Sequence, residues 1–140
     1  MPVNHRNLEL IQSFCQEKNH NTQLMCVTKN RSLREIQELY DFGIRIFGEN
    51  KVQEAKSKFL DSILSKIELH LIGPLQTNKV KNALQLFDII QSLDRTKLID
   101  EIVKVQKKIS VKTHSYFIQV NIGEEDQKSG VLPIGLKELY

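Results

Sequence analysis

Residues 24–47 read Leu24-Met25-Cys26-Val27-Thr28-Lys29-Asn30-Arg31, then Ser32-Leu33-Arg34-Glu35-Ile36-Gln37-Glu38-Leu39-Tyr40-Asp41-Phe42-Gly43, then Ile44-Arg45-Ile46-Phe47, and this stretch decides the fold. An apolar run at 24–28 gives way to a polar turn and then to Ser32-Leu33-Arg34-Glu35. That tetrapeptide is a capping box: the serine oxygen accepts from the third amide while the glutamate reaches back. Leu33, Ile36, Leu39 and Tyr40 share one helical face, Gly43 supplies a left-handed stop, and a second apolar run begins at Ile44. Strand, helix and strand in this compass are a parallel β-α unit, since a hairpin needs only a short turn.

The same grammar extends outward. Further apolar runs lie at 69–72, 88–93 and 116–120, and successive runs start roughly 20 to 28 residues apart. They are rich in Ile, Val and Phe with little polar alternation, as expected of strands covered on both faces. Between them, Asn50 is placed to cap a helix with Gln53 in the return position, striped by Val52, Ala55, Phe59, Ile63 and Leu64, with Ile67 beyond. Thr77 to Phe87 gives another, striped by Val80, Ala83, Leu84 and Phe87; Asp94 caps one carrying Leu98, Ile102, Val105 and Ile109. A leading helix at 4–18 carries Leu8, Ile11, Phe14 and Cys15.

No glycine-rich phosphate fingerprint follows the first strand, so a dinucleotide fold loses its main support. The expectation is an α/β protein of the parallel (β/α) TIM-barrel class. A closed barrel has eight units. Here about five of eight strands are legible, and the last helix, at 133–140, is expected to be a truncated one. Residues 1–140 are expected to form one partial barrel domain.

Composition narrows the function. The chain has 140 residues, 40% of them hydrophobic and 26% charged, which suits a globular domain. Twenty basic residues against 17 acidic ones leave a net charge of only +3, spread along the chain, which makes no case for nucleic acid or membrane. The lysines within 51–66 and 97–112 are interleaved with Glu and Asp and read as solvated helix faces. Cys15 and Cys26 have no CxxC partner and suit free thiols in a reducing compartment. No signal sequence is legible, and no apolar run approaches the ~18 residues of a membrane span, so a cytoplasmic protein is expected. The histidines at 5, 20, 70 and 114 show no metal-ligand spacing.

In β/α barrels, function gathers in the loops after the strands' C-terminal ends. Those loops carry Thr28-Lys29-Asn30, Gly48-Glu49-Asn50, the segment from Gly73 to Lys79, Ser92-Leu93-Asp94-Arg95, and Asn121 onward to Lys128-Ser129-Gly130. Lys29 falls on the face of Val27 and Met25 by strand alternation. If that face is the barrel interior, desolvation at its mouth would favour the free amine for attack on an aldehyde; by pattern alone, Lys29 reads as a solvated loop lysine. His70, between Leu69 and Leu71, reads by pattern alone as a satisfied core residue.

Several motifs occur in a telling order: Cys26-Val27-Thr28-Lys29, the run from Phe47 to Glu54, and His70-Leu71-Ile72-Gly73-Pro74-Leu75-Gln76-Thr77-Asn78-Lys79. Ser92-Leu93-Asp94, Gln119-Val120-Asn121-Ile122 and Lys128-Ser129-Gly130 follow. Together they resemble the pyridoxal phosphate homeostasis proteins, the YggS- or PROSC-like family. The resemblance implies a barrel of the alanine racemase N-terminal type, in which Lys29 forms an aldimine with pyridoxal phosphate. It implies that Asn50 lines the same pocket and that His70 and Asn78 are cofactor-binding candidates. Lys79 matches the third-strand motif, and Lys128 a lysine in a mobile loop.

It further implies a non-catalytic carrier that holds pyridoxal phosphate and delivers it, with PLP-dependent apoenzymes as recipients. Family members are longer, and their phosphate cradle comes from the last strands, to which nothing here corresponds. Two alternatives stand beside the carrier: a racemase or decarboxylase of the same barrel type, and a shortened chain that no longer binds the cofactor. Open barrel edges are expected to favour self-association.

Overall fold

The structure, a computed structural model, describes residues 3–18, 22–59 and 61–139. Tyr140, the end of the expected last helix, and His20 lie outside the described residues. Helix α1 (His5–Lys18) precedes strand β1 (Met25–Val27), and α2 (Leu33–Asp41) leads to β2 (Ile46–Glu49). Two short helices, α3 (Val52–Lys58) and α4 (Asp61–Leu64), come before β3 (Glu68–Leu71). A 3-10 turn (Thr77–Lys79) runs into α5 (Val80–Leu86), then β4 (Ile89–Leu93), α6 (Thr96–Gln106), β5 (Ser115–Ile118) and α7 (Leu136–Leu139).

The strands form one parallel sheet in the order β1-β2-β3-β4-β5, so each helical crossover joins neighbours. Strand pairing sets Val27 beside Gly48, Gly48 beside His70, His70 beside Ile89 and Ile89 beside Ser115. This row crosses one face of the sheet. The other face carries Phe47, Leu69, Leu71 and Ile90, all fully buried against the helices through Ile36, Ala55, Val80, Ala83, Leu84 and Leu98.

The runs read as covered on both faces, but the face away from the helices is covered only in part: His70 and Ile89 are buried there, at 7% and 9% exposed. On the same face Val27 is 52% exposed and Phe117 53%. Gly48, His70, Gln91 and Ser115 supply the polar or small positions of that face, which the apolar residues between them conceal in the sequence.

The α2 capping box forms as expected, with Glu35 N–H bonded to Ser32 Oγ and Ser32 N–H to Glu35, and Gly43 stops the helix region at φ +105°. Leu33 stays exposed beside the fully buried Ile36. Three other expectations are corrected. The helix expected to continue through Ile63 breaks at Phe59, whose backbone is extended and whose ring packs on Phe47 with centroids 5.9 Å apart. Core contact with β2 outweighs helical continuity there. Asn50 and Asp94 are not the caps of α3 and α6; Lys51 and Arg95 stand there and make no side-chain cap bond. Asp94 instead pairs with the Arg95 guanidinium, which also donates to the Leu75 carbonyl at 2.7 Å.

Candidate functional site

The turn after β1 is held at every peptide. Thr28 is fully buried; its N–H donates to the Gly48 carbonyl at 3.0 Å and its hydroxyl to Glu49 Oε1 at 2.7 Å. Arg31 N–H closes the turn on the Thr28 carbonyl at 2.9 Å. Asn30 adopts φ +58°, a left-handed conformation that asparagine tolerates better than most residues. Between them stands Lys29, which is exposed, so the desolvation expected at a closed barrel mouth is not in place.

Lys29 lines a cleft of about 580 Å³ together with Asn50, Lys51, Gln76, Lys79 and Arg95. The lining holds four cationic side chains and no carboxylate, although Arg95 is already paired with Asp94. The volume lies within the range of small-ligand sites. Asn50 also borders a second hollow of about 420 Å³, shared with Gly73, Asn121 and Lys128. Lys128 there forms an ion pair with Glu125.

The structure therefore brings Lys29 and Asn50 to one cleft. His70 sits one layer deeper on the same sheet face and is 7% exposed. Its Nδ1 meets Gln91 Nε2 at 2.7 Å and its Nε2 meets Glu68 Oε1 at 2.6 Å. An amide nitrogen only donates, so Nδ1 accepts and Nε2 carries the proton toward Glu68. Asn78 is exposed in the 3-10 turn and lies outside the cleft lining, which its neighbour Lys79 joins.

Sequence reading missed the polar cluster behind Lys29. Lys58 was expected on a solvated face, yet its side chain is only 12% exposed and bonds Glu49, Glu54 and the Thr28 carbonyl. Glu49 is fully buried. The hydrogen bond from Lys58, then that from the Asn30 amide, holds the Glu54 carboxyl below its ordinary value. Burial pulls Lys58 down, but its bonds to Glu54 and Glu49 and their charges outweigh it and leave the ammonium raised. Two signals were legible: Glu49 shares strand parity with the core residue Phe47, and Glu54 and Lys58 stand one helical turn apart.

Among the described residues, no group of three or more His, Cys, Asp or Glu converges to hold a metal ion, and no helix is long and apolar enough to cross a membrane.

No protein-family model matches the chain. It is 39% identical over 138 residues to the pyridoxal phosphate homeostasis protein of Aquifex aeolicus, covering 96% of this chain and 60% of that one. PipY of Synechococcus elongatus, solved without PLP, superposes with a TM-score of 0.78 at 31% identity, covering 94% of this chain and 63% of that one. The same protein with PLP bound gives 0.74 at 29% identity, covering 94% and 62%.

Fold and site together define an incomplete β/α barrel, with an amine-bearing cleft at the C-terminal ends of its strands. The chain is a homologue of the pyridoxal phosphate homeostasis proteins. It spans between 50% and 60% of the length of the curated relatives it matches.

Proposed function

We propose that this chain binds pyridoxal phosphate at Lys29, with Asn50 beside it, and takes part in intracellular homeostasis of the cofactor without turning over an amino acid. The observation that carries the reading is the Lys29 amine standing in a cleft lined by cations and free of carboxylates. When bound, the cofactor supplies an aldehyde that condenses with a primary amine, and a phosphate dianion. The residues fit both demands: Lys29 offers the amine, while Lys51 and Lys79 give the cleft a positive field suited to an anion. Asn50, without the capping role, offers an amide to the same space.

The PLP-bound PipY structure, matched over 94% of this chain, and the homeostasis names of the curated relatives support this reading. His70 and Asn78 enter it through their shared motif rather than through the cleft. Free Cys15 and Cys26 suit a cytosolic setting, and PLP-dependent apoenzymes are the proposed recipients. The open sheet edges, β1 and β5, are where a second copy would pair.

Absorbance titration with pyridoxal phosphate, followed by borohydride reduction and peptide mapping, tests the assignment. The label is expected on Lys29 and absent from Lys29→Ala. A label spread over surface lysines and unchanged in that variant would refute it. Exchange of amino acid α-protons into deuterated water tests the absence of turnover, and Lys29-dependent exchange well above that of free cofactor would overturn it.

A further inference from the structure

The two peptide groups flanking Lys29 are both gripped by side chains of α3. On one side, Lys58 Nζ donates to the Thr28 carbonyl at 2.7 Å. On the other, the Asn30 N–H donates to Glu54 Oε1 at 2.6 Å. Glu54 and Lys58 bond each other at 2.5 Å, and Lys58 reaches the buried Glu49 at 3.0 Å. The three donors of the ammonium are thereby all used.

Burying such a cluster is costly, and well-packed apolar residues often stabilise a core as well or better. An apolar trio, however, would make no hydrogen bond to the backbone on either side of Lys29. Nor would it hold Asn30 in its left-handed conformation. The arrangement does both, and α3 begins directly after the cleft residues Asn50 and Lys51.

We infer that Glu49, Glu54 and Lys58 form a clamp that fixes the Lys29 turn, which makes Glu54 and Lys58 positioning residues for aldehyde capture. The inference rests on the proposed role of Lys29 and adds how that amine is held. Glu54 is the selective handle, because its side chain is 20% exposed and an amide in its place keeps an oxygen for Asn30.

Three forms of the full chain test the clamp: parent, Glu54→Ala and Glu54→Gln. In ligand-free protein, exchange of the Asn30 amide should rise about tenfold in Glu54→Ala, as loss of one charge-assisted hydrogen bond implies. In Glu54→Gln it should stay near the parent rate. The Ile36 amide in α2 serves as control, since general loosening raises both amides and loss of the clamp raises Asn30 alone. Pyridoxal phosphate affinity should fall about tenfold in Glu54→Ala and largely recover in Glu54→Gln. Unchanged Asn30 exchange, parallel rises at Asn30 and Ile36, or parent-like affinity in Glu54→Ala would overturn the clamp alone. A parent chain that captures no cofactor would overturn the Lys29 reading and the clamp's purpose with it.

Discussion

Gly73 lies against the backbone of Asn50, so closely that a Cβ on Gly73 would fall 2.2 Å from the Asn50 carbonyl oxygen. No rotamer change relieves a clash with a main-chain atom. The adjacent Ile72 N–H donates to the Glu49 carbonyl at 2.9 Å, so the loops after β2 and β3 are locked together where Asn50 enters the cleft. Gly73→Ala should cost about 1–3 kcal/mol, the usual range for overpacking, and weaken cofactor binding by displacing Asn50. Urea denaturation beside a pyridoxal phosphate titration checks both halves.

Lys29 and Lys58 should behave oppositely when removed. Lys29 is exposed, so Lys29→Ala should change stability by no more than about 0.5 kcal/mol while abolishing specific capture. Lys58→Met leaves the buried Glu49 without its ammonium partner and should cost about 3–5 kcal/mol. Denaturation midpoints of the two variants give the contrast directly.

The clamp should have an acid limb and an alkaline limb. Glu54 is lowered from its ordinary 4.5, so its stabilisation is complete above that value and is lost as pH falls through the lowered one. Lys58 is raised from 10.5, so its contribution is complete below that value and is lost as pH rises through the raised one. Denaturation midpoints across pH should show a plateau between the limbs, and Glu54→Gln should reduce the acid limb.

The α2 cap should weaken in acid. The Ser32 amide, then its hydroxyl, with Arg31 assisting, holds Glu35 down to about 2. Its stabilisation is therefore present above the ordinary carboxylate value and lost as pH falls toward about 2. Ser32→Ala at neutral pH should cost about 1 kcal/mol, a usual loss for a removed cap. Amide exchange in the first turn of α2 reads both effects.

Gln91→Leu should leave the His70 Nδ1 without its donor in a nearly buried setting, at a cost of about 1–3 kcal/mol. Capture by Lys29, a layer above, should be unaffected. A marked loss of affinity without a matching loss of stability would tie His70 to the cofactor itself.

Elements governed by local chemistry were legible in the sequence. Ser32 and Glu35 cap α2 by contacts within one turn, and every strand overlaps an apolar run, with the helix-facing Phe47, Leu69, Leu71 and Ile90 of β2, β3 and β4 fully buried. What failed was decided by distant partners. Asn50 and Asp94 have the chemistry of caps, but the helices begin one residue later, with Asn50 in the cleft and Asp94 on Arg95. The stripe through Phe59 suited one long helix until the Phe47 ring claimed that side chain. At the cleft, the place of Lys29 after β1 was legible, but its proposed role came from the resemblance and not from the pattern. For Glu49, Glu54 and Lys58 the parity and spacing were visible but their convergence was not, because an ion pair on a helix looks the same whether water or a buried carboxylate lies behind it.

The strand order has a consequence for biosynthesis. Met25 pairs with Ile46 and Ile90 with Tyr116, so each strand docks on the one translated just before it. A nascent chain emerging N-terminus first need not await a far-off segment before its sheet begins to grow. Low sequence separation between partners keeps the loop-closure penalty modest at every step. The newest strand is always an open edge, as β1 is from the start, so the sheet's margins, rather than its finished interior, are where a chaperone or a neighbouring nascent chain would first take hold.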